Sequence, residues 1–184
     1  MIYLALVHYP VLDRSGEVVT TAVTNLDIHD LARAGRTYGV RRYFVVTPIQ
    51  AQRQLVERIV AHWRTGASAA RIPERGDALS IVAIAPNLDA AIEDIRGDCG
   101  DAPHLVATAA RAMPRATLSF EDARRALRED HRPWLILLGT GWGLADEVIR
   151  RADDLLPPIR GASDYNHLSV RAAAAVVLDR LLSV

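Results

Sequence analysis

Short, unbroken apolar runs alternate along this chain with stretches of helical period. Ile2 to Val7 is apolar throughout, which predicts a buried strand ending at His8-Tyr9-Pro10. Leu12 to Gly16 is turn-like, and Val18 to Val23 forms a second extended stretch. Thr24 or Asn25 offers an N-cap for a helix over Leu26 to Tyr38, with Leu26, Leu31, Ala34 and Tyr38 as its apolar stripe and Gly39 as its stop. Val40 to Thr47 reads as a strand, and Pro48 starts a helix through Trp63. Thr65 to Gly76 is small, polar and Arg-flanked, hence a loop.

Leu79 to Ala85 is the next strand. Pro86-Asn87 opens a helix through Arg96, with Leu88, Ala91, Ile92 and Ile95 inward, and Gly97 to Pro103 is a turn. His104 to Thr108 is a strand, followed by an irregular Ala109 to Thr117. Ser119, with Asp122 three residues on, caps a helix to Glu129. Pro133 to Leu138 is a strand, Gly143 to Arg151 a helix, and Leu155 to Ile159 a short extended piece. The closing helix, Arg171 to Leu182, is apolar nearly all round and needs cover on several sides.

This alternation predicts an α/β fold, a mainly parallel sheet covered by helices on both faces. No linker, repeat or low-complexity tract divides residues 1–184, so a single domain is expected. Half of the 184 residues are hydrophobic.

Formal net charge is zero, and all 22 basic residues are arginines. Arginine is permanently charged and planar, able to clamp phosphates or stack on bases. The zero conceals a gradient: Asp27 to Arg75 holds nine arginines against four acids, whereas Asn87 to Pro103 holds five acids against Arg96. Such a basic region suits an anionic partner, or is simply a set of solvated helix faces. Cys99 is the only cysteine, which leaves no disulfide frame and no cysteine-based zinc site. There is no signal-peptide pattern and no apolar run of membrane-spanning length, so no membrane partner and a cytoplasmic location are expected.

The chemistry concentrates in the last third. Gly139-Thr140-Gly141-Trp142-Gly143 follows an apolar strand, where glycines allow backbone to approach a ligand. Leu144 stands where a dinucleotide fingerprint needs a third glycine, which argues against a nucleotide-binding oxidoreductase. The absence of lysine excludes a phosphate-binding P-loop. Only 41 residues follow Gly143, too few for the common methyltransferase fold whose glycine loop opens the sheet. Pro158-Ile159-Arg160-Gly161 and Tyr165-Asn166-His167-Leu168-Ser169-Val170 then lead into the final helix.

Taken together, these three segments resemble the SPOUT family of RNA methyltransferases. In that family a glycine loop, a Pro-Ile-x-Gly-like loop and an Asn-x-Ser-like segment bind S-adenosylmethionine within a C-terminal trefoil knot. The resemblance implies the knot here, and a cofactor site made of Thr108 and Ala109 from the first loop, Leu138, Gly139, Thr140, Gly141, Trp142, Gly143 and Leu144 from the second, then Ile159, Gly161, Tyr165, Asn166, Leu168 and Ser169. His167 lies inside the third segment. Trp142 either stacks on a ligand or folds over the loop.

Asn25 and the stretch Ala32 to Val40 are similar to the motif of the family's ribose-methylating branch. Asn25 to Arg33 is wider than the usual spacing, Leu26-Asp27-Ile28-His29-Asp30 stands where Gly is usual, and the second loop has Gly141-Trp142 where a Glu is frequent. These departures bring the chain closer to the branch that methylates guanine in tRNA. Arg33 is the residue carried over to the acceptor. Because a guanidinium holds its proton, its role there is orienting or charge-stabilising. Asp27, His29 and Asp30 are the nearby groups able to accept a proton, or first-turn residues suited to the helix dipole.

The resemblance therefore implies S-adenosylmethionine-dependent methyl transfer to tRNA or rRNA, on ribose 2′-O or guanine, by a homodimer packed through the C-terminal helix. The alternative is a non-catalytic protein that keeps the fold and binds cofactor and RNA.

Overall fold

A computed structural model of the chain describes residues 1–65, 70–163 and 165–183. Six strands form one parallel sheet in the order β5-β4-β1-β7-β6-β8. They are β1 (Ile2–Val7), β4 (Arg42–Val46), β5 (Val82–Ala85), β6 (His104–Ala107), β7 (Trp134–Gly139) and β8 (Asp154–Leu155). A two-residue antiparallel ribbon, β2 (Val11–Leu12) with β3 (Val18–Val19), stands beside the carboxyl end of β1.

The helices are α1 (Asn25–Thr37), α2 (Gln50–Thr65), α3 (Pro73–Leu79), α4 (Leu88–Cys99), α5 (Phe120–Glu129), α6 (Asp146–Arg151) and α7 (Val170–Leu182). The period-two alternation of the strands divides the core between the two faces. Ile2, Leu4 and Leu6 of β1 pack with Ile28 and Leu31 of α1 and Val177 and Leu178 of α7. Tyr3, Ala5 and Val7 pack on the other face with Leu88, Ala91 and Ile95 of α4 and Val148 and Ile149 of α6. Central strands buried on both faces explain why the sequence shows unbroken apolar runs there rather than alternation.

Several boundaries differ from those expected, each for a local reason. The stripe of α1 is rotated: Ile28, Leu31, Ala32 and Gly35 face the core, while Leu26 is 59% exposed. Gly35 belongs to that face because an added Cβ would sit 3.0 Å from the Ile81 side chain. Pro73 starts α3 inside the expected Thr65 to Gly76 loop, as proline can at a first helical turn; residues 66–69 of that loop lie outside the described residues. Leu79 closes α3 instead of opening a strand.

Gly143 does not start α6, because its φ of +105° is not helical. The helix begins at Asp146, after Leu144 has bridged to Val11. Of the expected Val18 to Val23 stretch only Val18–Val19 is strand. In α4 the helix continues past Arg96 to Cys99 and ends on Gly100 in the left-handed region. Ile92 of that helix is half-buried.

Helix α7 buries one face, Ala174, Val177, Leu178 and Leu181. It is not covered all round, since Val176 and Leu182 are half-buried and Ala172 is exposed. No helix among the described residues is long and apolar enough to cross a membrane.

Candidate functional site

The carboxyl ends of β7, β6 and β8 open into a cleft of about 840 Å3, between the start of α1 and the start of α7. This is where an open parallel sheet leaves room for a ligand, next to the point where strand order reverses. β1 is that point, since it is flanked by β4 on one side and β7 on the other.

One wall is the loop Gly139 to Gly143. Its glycines answer first to the protein's own packing. A Cβ on Gly139 would lie 2.5 Å from the Leu144 amide nitrogen and 2.8 Å from the Gly143 carbonyl carbon; on Gly141, at φ +59°, it would lie 2.9 Å from the Leu12 carbonyl oxygen. The amides of Thr140, Trp142 and Gly143 donate to Val7 O, Leu12 O and Thr140 O, so they are committed internally. The Gly141, Ile159 and Leu168 amides have no protein partner among the described residues. They are among the donors left for a ligand in the cleft.

The floor is a polar relay behind this loop. The Thr140 hydroxyl donates to Val7 O at 3.1 Å and exchanges a short hydrogen bond with the Thr21 hydroxyl. The Thr21 hydroxyl meets His8 Nδ1 at 3.0 Å. His8 is fully buried, its Nε2 has no partner, and burial pushes its pKa down to about 4. The imidazole is therefore neutral at pH 7 and acts as a hydrogen-bonding spacer rather than a charge.

The second wall is Thr108 to Arg111, joined to the third, Asn166 to Val170, by Asn166 Nδ2 donating to Ala110 O at 2.5 Å. Ser169 turns the chain into α7 by accepting from the Ala172 amide at 3.3 Å. Opposite stands Asp27, 5% exposed. Thr24, the N-cap of α1, accepts from the Asp27 amide and donates its hydroxyl to Asp27 Oδ2 at 2.6 Å. Arg171 of α7 donates to Asp27 Oδ1 at 3.1 Å and also approaches Asp30 at 3.4 Å. A buried carboxylate thus faces the cleft, compensated by one guanidinium and one hydroxyl, as a buried charge requires.

Of the residues expected to hold a cofactor, Thr108, Ala109, Leu138, Gly139, Thr140, Gly141, Trp142, Gly143, Ile159, Asn166, Leu168 and Ser169 line this cleft. Leu144 does not; it is buried in the core on the α4–α6 face, because its backbone closes the glycine loop. Gly161 and Tyr165 are exposed and stand outside the lining. Trp142, 56% exposed, stands at the mouth.

Among the residues expected at the acceptor, Asp27 alone lines the cleft. Asn25 is exposed in the first turn of α1. Arg33 is exposed further along that helix. His29 points away, edge-on to Trp63, with its pKa lowered by burial and then by Arg75 and Arg33, against the opposing pull of Asp30. One helical turn of about four residues separates neighbours on a face, so these four cannot all share one side of α1.

Thr21 and Pro157 line the cleft without having been expected. Arg171 was equally missed, since its partner Asp27 is 144 positions away. Its place just after a capped helix start was the available signal.

The cleft fits S-adenosylmethionine. Leu138, Ile159 and Val177 offer apolar surface for an adenine, the free amides offer directional donors, and the volume suits a nucleoside with a short tail.

The sequence matches, over residues 1–183, the family described as SAM-dependent RNA methyltransferase. It is 44% identical over 181 residues to a protein of Oleidesulfovibrio alaskensis named tRNA (guanine-N(1)-)-methyltransferase, a span that covers 98% of this chain and 42% of that protein. An uncharacterized protein of Aquifex aeolicus is 40% identical over 182 residues, 99% of this chain and 88% of its own length. This chain therefore spans less than half the length of the first relative and most of the second. The structure of the SpoU methyltransferase AviRb from Streptomyces viridochromogenes shares the fold, with a TM-score of 0.60 at 16% identity over 98% of this chain and 58% of that one. With a family match over almost every residue and the fold of a SpoU methyltransferase, the chain belongs to the S-adenosylmethionine-dependent RNA methyltransferases.

Proposed function

We propose that this protein methylates N1 of a guanine in tRNA, as a single SPOUT domain whose C-terminal segment is tied in the family's trefoil knot. The observation that carries the reading is the buried Asp27 carboxylate facing the cleft. Guanine N1 bears a proton far more acidic than a ribose hydroxyl, and a carboxylate suits its removal. The 44% identity to a protein named for that activity supports the same choice.

In this mechanism Leu138, Ile159 and the free amides hold the cofactor, and Asp27 takes the proton from N1 as the N–H electron pair forms the new N–C bond. Bound S-adenosylmethionine supplies a methyl already activated on a sulfonium, with the neutral thioether as its leaving group. Arg171 and Thr24 hold the carboxylate in place, and each of its oxygens keeps a lone pair free for that proton. The enzyme acts in the cytoplasm. A second copy covers the half-buried side of α7 together with Leu26 and Leu168, which are 59% and 49% exposed.

The test is methyl transfer from labelled cofactor to unfractionated tRNA, with digestion to nucleosides. Label in 1-methylguanosine supports the reading, whereas label in a 2′-O-methyl nucleoside refutes the base assignment. Asp27→Asn is expected to lower kcat by roughly 10²–10⁴ with cofactor affinity within a fewfold. A retained rate would remove Asp27 from proton transfer.

A further inference from the structure

A second cavity, of about 680 Å3, adjoins the cofactor cleft, and Arg111 lines both. Its other polar lining groups are Arg115, Asp146 and Arg150; Met113 and Ile149 give it an apolar floor. Arg115 builds it. Its guanidinium donates to the carbonyls of Ile149 at 2.5 Å and of Ala152 and Asp153 at 2.8 Å, fixing the segment after β6 against the end of α6.

Arg111 and Arg150 are exposed and have no partner among the described residues. Arg151, the next residue, is by contrast paired with Asp89. Asp146 stands one turn before Arg150 on α6, a spacing at which ion pairs form readily, yet the two make none.

We propose that this groove seats the RNA nucleotide next to the one methylated, an inference that rests on the RNA-methylating reading above. Arg111 and Arg150 hold its flanking phosphates, the Asp146 carboxylate accepts from its ribose 2′-hydroxyl, and its base lies over Met113 and Ile149. Two guanidinium groups on the rim supply the phosphate affinity. A carboxylate in a phosphate-binding groove opposes the anion and gains only where a hydroxyl donor is present, which is how a protein distinguishes RNA from DNA. The shared Arg111 places this nucleotide at the edge of the cofactor cleft.

Binding of a fluorescent oligouridylate and of its 2′-deoxy counterpart, read by anisotropy over a salt series, tests this without requiring activity. Arg150 does not line the cofactor cleft and its side chain has no hydrogen bond or ion pair among the described residues, so Arg150→Ala is expected to leave folding and cofactor affinity intact. It is expected to raise the Kd for the oligouridylate about fivefold and to make the salt slope shallower by about 0.7, the value for one single-strand phosphate. Arg150→Lys restores the slope. Asp146→Ala brings the affinities for ribose and deoxyribose oligomers together. Unchanged Kd and slope in Arg150→Ala and in the Arg111→Ala/Arg150→Ala double variant overturn the groove, as does an Asp146→Ala protein that still prefers RNA. Loss of these effects beside normal methylation of tRNA refutes the groove alone; intact effects without methylation refute the proposed activity alone.

Discussion

Lowering the pH should destabilise this protein through His8. The imidazole is fully buried, and its pKa lies at about 4 instead of 6.5, through burial that the nearby Asp27 only partly offsets. The unfolded chain binds a proton near pH 6.5 and the folded chain does not until about pH 4. Between those values the unfolded state holds more protons, so stability falls as pH falls. Above the window both states are neutral and the effect is absent; below it the loss is complete. At ~1.4 kcal/mol per pH unit, the gap amounts to roughly 3 kcal/mol.

Urea unfolding at a series of pH values measures it. For a slope near 2 kcal/mol per molar, the midpoint should fall by about 1–2 M across the window. His29, whose pKa is also lowered, adds a fall of the same sign, so the decisive quantity is the difference between the wild type and His8→Asn. Asparagine keeps a polar group near Nδ1 for Thr21 and does not titrate. That difference should change by roughly 3 kcal/mol from pH 7 to pH 4. Should it stay flat, His8 is not held neutral by the fold, and the relay from His8 through Thr21 to Thr140 is wrongly drawn.

Gly139→Ala would set a methyl 2.5 Å from the Leu144 amide nitrogen; calorimetry should show cofactor affinity down more than tenfold and thermal unfolding a loss of about 1–3 kcal/mol. Arg171→Ala leaves buried Asp27 without its cation. Because Arg171 is one-third exposed, a loss of about 2 kcal/mol is expected in denaturant unfolding, below the range for a fully buried pair, with partial recovery in Arg171→Lys. Arg33 is exposed and lies outside the cleft, so Arg33→Ala should leave stability, cofactor affinity and the rate of transfer within a fewfold; a rate lost at unchanged stability would return Arg33 to the acceptor side of the mechanism.

Elements with a local signal were legible. β1 and β7 announce themselves as apolar runs, and Asn87, Ser119 and Ser169 cap α4, α5 and α7 with their own side chains. Strands β2, β3 and β8 have two residues each, too few for any period to register. The face of α1 was misjudged because Leu26 is apolar by type but precedes the buried turn, while Gly35 carries no apolar side chain to mark the core side.

The cleft shows the same division. Its loops were recognisable as contiguous segments. The ion pair of Asp27 with Arg171 and the contact of His8 with the glycine loop through two threonines join distant parts of the chain, and only the folded sheet brings them together. The glycines were noticed correctly as a loop signal, yet Gly139 and Gly141 are required by the approach of Leu144 and Leu12 rather than by a ligand.

The single guanidinium of Arg171 joins the wall that opens α7 to the carboxylate that opens α1. Whatever settles the first turn of α7 also settles the orientation of Asp27, because the two share one rigid strut. Occupation of the cofactor side should therefore prepare the acceptor side in advance. In kinetic terms this favours an ordered sequence in which cofactor binds before RNA, and initial-rate patterns with a dead-end cofactor analogue should be competitive against cofactor and noncompetitive against RNA.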